Sequence, residues 1–152
     1  KENRLNMAKA ANLSGKAINI SKTTACHSIS YPITSYFNIP HGHAVTLTMP
    51  EILDFNYNLT ENDCDDKRGS SFVKQRIKEI FNIIGAEDGY DAKNKLNNLM
   101  MKINIEANLS KLNINKKGLE LIFKKGFTSD RMNNNPRNIT RKQLKEILEK
   151  IL

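Results

Sequence analysis

The sequence has no tryptophan and only two cysteines, Cys26 and Cys64. These form no CxxC pair and no zinc-finger spacing, which excludes a dithiol redox motif and a cysteine-built zinc site; both read as free thiols. No run approaches the ~20 apolar residues needed to span a bilayer, so no membrane partner is expected. The start, KENRLNMAKA, is polar and lacks the apolar core of a secretory leader, and the chain reads as cytoplasmic. It also does not begin with methionine, so something is expected before Lys1. There is no GxGxxG, no Walker A sequence and no serine elbow, so these 152 residues show no nucleotide-binding site of their own. Asp63-Cys64-Asp65-Asp66 fails as a calcium loop. Counted from Asp63, the positions that need an oxygen ligand, a glycine and a glutamate hold Lys67, Arg68 and Lys74.

Acidic residues are also in deficit, and the formal net charge is +8. The lysines are scattered or sit on helical faces, as in Thr140-Arg141-Lys142-Gln143-Leu144-Lys145. No aromatic residues interleave with a basic stripe, so the charge reads as solvated surface rather than a nucleic-acid interface. Attraction of a small anionic substrate remains open.

The hydrophobic fraction of 39% is enough for a core, and its periodicity is helical from end to end. Alternating strand segments, repeats and flexible linkers are missing. Residues 2–22 carry Ala8, Ala10, Ala11, Ser14, Gly15 and Ala17, which predicts a helix buried on more than one side, with a tight contact at Gly15. A short helix over 26–37 follows, then one from Asn38 (cap) and Pro40 (first turn) to Tyr57, kinked or split at Pro50. The stretch from Leu59 to Ser71 reads as a polar loop. Phe72, Arg76, Ile77, Ile80, Phe81 and Ile84 mark a helix stopped by Gly85. Leu96, Leu99, Met100 and Ile103 are the expected inner face of a helix over 91–103. Asn115 and Thr140 are expected caps of the last two helices; the first carries Leu119, Ile122 and Phe123, the second Leu144, Ile147, Leu148 and Ile151. The expected fold is an all-α bundle of seven or eight helices forming one domain over 1–152.

All three histidines, His27, His41 and His43, fall in one seventeen-residue window. His27 lies near the start of one expected helix and His41 in the first turn of the next. Two short antiparallel helices joined by that turn bring the two imidazoles toward one point. Neutral imidazole is the commonest side-chain metal ligand, and with no thiolate at ligand spacing a nitrogen- and oxygen-based site suits Fe²⁺, Zn²⁺, Ni²⁺ or Mn²⁺. His43, about 200° around the helix from His41, should face elsewhere. Buried helix-terminal histidines often only bond a carbonyl, and no acid here is placed to complete a two-histidine site.

The stretch Ala11-Asn12-Leu13-Ser14-Gly15-Lys16-Ala17, then His27, then Pro40-His41-Gly42, then Pro50-Glu51-Ile52-Leu53-Asp54-Phe55-Asn56, resembles the iron-containing alcohol dehydrogenases. Thr23 to Pro32 together with His41-Gly42-His43-Ala44 is similar to that family's phosphonoacetaldehyde reductase branch. Asn135-Pro136-Arg137 and the helix after it resemble the family's C-terminal end. The resemblance implies the C-terminal helical domain of a homo-oligomeric two-domain enzyme whose N-terminal α/β domain binds NAD or NADP. It implies a catalytic metal, Fe²⁺ or alternatively Zn²⁺, with His27 and His41 as two of four ligands and the other two upstream. The implied reaction is hydride transfer between a nicotinamide and a small alcohol or aldehyde, phosphonoacetaldehyde among them. Many members have a second histidine four residues after the first of the pair; here that position is Tyr31. Tyr31 or His43 is then the candidate for handling a proton or an anionic substrate, and Tyr31 alternatively a structural residue with its hydroxyl bonded inside the bundle. A piece lacking the cofactor domain should not turn over alone. A zinc-dependent glycerol-dehydrogenase-like or dehydroquinate-synthase-like enzyme, and a non-enzymatic basic helical binding module, are the alternatives.

Overall fold

The structure, a computed structural model, describes residues 1–152; for Ser129 and Asp130 only the backbone is described. It is all helical. The order is α1 (Glu2–Ser21), α2 (Ala25–Phe37), α3 (His41–Tyr57), α4 (Ser70–Ile84), α5 (Gly89–Lys102), α6 (Lys116–Gly126), α7 (Ser129–Met132) and α8 (Arg141–Lys150), with a short 3-10 turn at Ser110–Leu112. Among the described residues no helix is long and apolar enough to cross a membrane.

Local chemistry sets most of these ends. Asn115 accepts from the N–H groups of Lys117 and Gly118 at the start of α6. Thr140 and Gln143 form a reciprocal capping box at α8. Gly85 ends α4 at φ +68°, a left-handed conformation that suits glycine. At α5 the cap is Asp88, whose side chain takes the Asp91 N–H, so the helix begins earlier than its apolar pattern indicates.

The main core gathers Ile29 and Ile33 of α2, Leu47 of α3, Leu119 and Ile122 of α6, and Leu144 and Leu148 of α8. A smaller one joins Val73, Ile77 and Phe81 of α4 to Ala92 and to Leu59. Leu59, expected in a polar loop, is thus a core residue, 1% exposed. The α2–α3 pair packs along its length, and α6 crosses α2 so closely that Gly126 meets the backbone of Ile29. A Cβ there would sit 3.1 Å from the Ile29 Cα. Gly126→Ala should therefore push α6 off α2 and lower stability by about 1–3 kcal/mol, read from the urea midpoint.

Four expectations are corrected. Asn38 does not cap α3; it ends α2 in the left-handed conformation, φ 55°, and Pro40 is the residue before α3. Pro50 does not split α3, which runs unbroken through it; Pro50 is itself buried, and tertiary packing outweighs the missing N–H. In α5 the buried side chains are Ala92 and Met100, while Leu99 and Ile103 are 54% and 55% exposed, because the helix turns its 92/100 stripe inward. Helix α1 buries no residue, and Gly15 has nothing near it. Its small residues suit close packing, but no element among the described residues lies against them.

One long-range latch closes the fold. Asn56 and Asn135 are buried and exchange amide hydrogen bonds. Arg137 donates to Asp63 Oδ2 at 2.7 Å and to the Phe55 carbonyl at 2.7 Å, its guanidinium stacked 4.1 Å from the Phe55 ring. Burial alone raises the Asp63 pKa, but the hydrogen bonds from Thr60 and Arg137 outweigh it and hold the carboxyl below its ordinary value. A depressed carboxylate contributes stability that is complete above its unfolded pKa and is lost as pH falls through the folded one. Thermal melts should therefore drop below about pH 4, and Asp63→Asn should flatten that drop.

Candidate metal centre

The site is built by the α2–α3 hairpin. Asn38 in the left-handed conformation ends α2 and Pro40 turns the chain into α3. His27, whose N–H bonds the Thr24 carbonyl at 3.1 Å, sits in the first turn of α2; His41 is the first residue of α3. Antiparallel packing brings the two rings edge to face, centroids 5.4 Å apart. Ser30 uses its only proton on the His27 carbonyl at 2.8 Å and lies 3.5 Å from His41 Nδ1. It offers His41 a lone pair, which favours the Nδ1–H tautomer and leaves Nε2 as the free nitrogen.

The electrostatics suit a neutral His27. Burial, then the neighbouring His41, then Arg131 lower the His27 pKa from its ordinary value. The ring is thus held in the form that a metal needs. Burial pushes the Cys26 thiol up to about 11, which makes it a packing residue rather than a thiolate ligand.

Tyr31 lies one turn after His27, its ring 5.8 Å from that of His41. It is 44% exposed, so it is not the tyrosine inside the bundle that a structural role calls for. Over its ring, 4.7 Å from the centroid, sits the guanidinium of Arg131, on α7. Residue-type spacing gives no sign of Arg131, since it reaches the site only through the packing of α7 on α2. His43 faces away from the pair, as its helical offset predicts. Its Nε2 donates to the Glu106 carbonyl at 2.6 Å, tying α3 to the segment after α5. Among the described residues no group of three or more histidine, cysteine or carboxylate side chains converges. A cavity of about 720 Å³ lies elsewhere, between α4 and the 133–136 segment, and no histidine lines it.

The family model for the C-terminal part of the Fe-containing alcohol dehydrogenases matches residues 1–152. Phosphonoacetaldehyde reductase of Streptomyces viridochromogenes is 38% identical over 77 residues, 51% of this chain and 20% of that protein. Sulfoacetaldehyde reductase of Bilophila wadsworthia is 25% identical over 153 residues, 94% of this chain and 36% of that protein. The crystal structure of sulfoacetaldehyde reductase from Bifidobacterium kashiwanohense in complex with NAD+ matches with a TM-score of 0.66 at 25% identity, over 86% of this chain and 31% of that one. The chain thus spans between about a fifth and a little over a third of the length of these relatives.

Proposed function

The chain belongs to the Fe-containing alcohol dehydrogenase family, and from that premise we propose that it is the helical, metal-holding domain of a longer NAD(P)-linked reductase of short aldehydes. The observation that carries this reading is the His27–His41 pair. Centroids 5.4 Å apart suit two imidazoles that share one ion at metal–nitrogen distances of about 2.0–2.1 Å.

His27 and His41 would hold the metal, iron or alternatively zinc, and two further ligands would come from residues outside this chain. When bound, a divalent ion supplies Lewis-acid polarisation of the aldehyde carbonyl. The chain's own contribution is orientation. Ser30 fixes the His41 ring, and burial keeps His27 neutral. Of the two candidates for handling the proton, Tyr31 has the better position, because its ring borders His41. The ring nitrogen of His43 is already committed to Glu106.

Nothing among these residues fits a dinucleotide: there is no glycine-rich phosphate turn and no sheet to carry one. We therefore assign NAD or NADP to a separate α/β domain of the parent chain. The reading is supported by the fraction of each relative that this chain covers and by the NAD+ held in the Bifidobacterium enzyme. The test is expression of the full reading frame, with metal content and NAD(P)H oxidation measured on phosphonoacetaldehyde and on simple aldehydes. Stoichiometric metal with aldehyde-dependent oxidation supports the reading. A full-length protein that takes up no metal sinks it.

A further inference from the structure

We infer that Arg131 is the residue that binds the charged end of the substrate, a tetrahedral oxyanion (phosphonate or sulfonate) on the carbon next to the aldehyde. The inference rests on the reductase reading above and adds to it a specificity residue. Three observations carry it.

The first is position. The Arg131 guanidinium lies 4.7 Å from the centre of the Tyr31 ring, and that ring lies 5.8 Å from His41. A substrate whose carbonyl sits at the histidines therefore meets a fixed positive charge one aromatic ring away. Tyr31 is 44% exposed, so this side of the pair is open to an incoming molecule.

The second is rigidity. Two anchors follow Arg131 directly in the chain. Met132 is buried in the main core. Asn134 donates to the carbonyls of Ser21 and Thr23, just ahead of α2. The stack on Tyr31 holds the guanidinium plane, so little side-chain freedom is lost when an anion binds.

The third is chemistry. Arg68, Arg76 and Arg137 are each paired with a carboxylate, Asp66, Glu79 and Asp63 in turn; among the described residues no such partner is found for Arg131. Guanidinium presents a planar fork of donors that matches two oxygens of a phosphonate or sulfonate. The Streptomyces, Bilophila and Bifidobacterium relatives are named for aldehydes of this kind, two-carbon and anionic.

The experiment uses the metal-loaded full-length enzyme with phosphonoacetaldehyde, sulfoacetaldehyde and uncharged propanal. Arg131→Ala should lower the ratio of kcat/KM on the charged aldehydes to that on propanal by about 100-fold, mostly through KM, as removal of a charge-assisted contact does. Arg131→Lys should recover part of the ratio, since it keeps the charge and loses the fork. The two charged substrates decide between phosphonate and sulfonate. Metal content checks that the variants fold. If Arg131→Ala lowers all three substrates equally, the arginine only steadies Tyr31 and the inference is overturned. If the wild type reduces propanal as well as the charged aldehydes, the reductase reading stands and the anion site falls. If it reduces none of the three, the reductase reading falls and takes the inference with it.

Discussion

His41→Ala should strip the metal from the full-length protein and lower aldehyde reduction by about a thousandfold, the loss expected when several kcal/mol of carbonyl polarisation disappear. His27→Ala should do the same. The double variant should be hardly worse than either single one, because ligands of one ion act as a unit. His43→Ala is the control. It lies two residues from His41 on the same helix but bonds the Glu106 carbonyl, so it should keep its metal and lose about 1 kcal/mol of stability, one hydrogen bond. The measurement is metal per chain after gel filtration, with activity and a urea melt on the same samples. Full metal in His41→Ala would remove the histidine pair from the site. Melts repeated on metal-free samples separate the two roles: both ligand variants should then keep the wild-type urea midpoint, whereas a purely structural edge-to-face pair, centroids 5.4 Å apart, should lose stability when one ring is removed.

The histidine pair was legible in the sequence because both of its constraints are local. A turn before Pro40 and a fixed separation along the chain determine where the two helix starts meet, even though Asn38 ends α2 rather than capping α3. The same holds for Asn115 and Thr140, whose capping depends on residues two and three further on. It holds as well for the Val73, Ile77 and Phe81 stripe, which repeats at helical spacing. Properties set by distant partners were not legible. Arg131 reaches Tyr31 from the far end of the chain, through the docking of α7 on α2. The small-residue pattern of α1 says that a helix can be approached closely, not that one of its neighbours does so, and α1 buries nothing. Pro50 is a third case: its missing N–H is a local defect, but the helix runs on through it with Pro50 buried. Leu59 and the Asn56–Asn135 pair follow the same rule. Each lies in or beside a polar stretch and is buried by elements far away in sequence.

Ile29→Ala should be the most damaging of the core substitutions that leave the site's own side chains in place. Ile29 is fully buried on α2, between His27 and Tyr31 in sequence and on the opposite face of the helix. Truncating a buried isoleucine costs about 2–5 kcal/mol, a large share of the roughly 5–15 kcal/mol that holds a domain folded. The upper half of the range is expected here. The site can close only if α6 moves inward, and Gly126 already stands against the Ile29 backbone, so the cavity stays open. The urea midpoint should fall with no change in slope. Metal should then restore part of the loss, since an ion that binds only the folded state adds stability by mass action. In the His41→Ala background that recovery should vanish, while the cost of the cavity stays the same, because the two faces of α2 do different work. If Ile29→Ala melts like the wild type, α2 does not pack through this face, and the hairpin that brings His27 to His41 lacks the support described here.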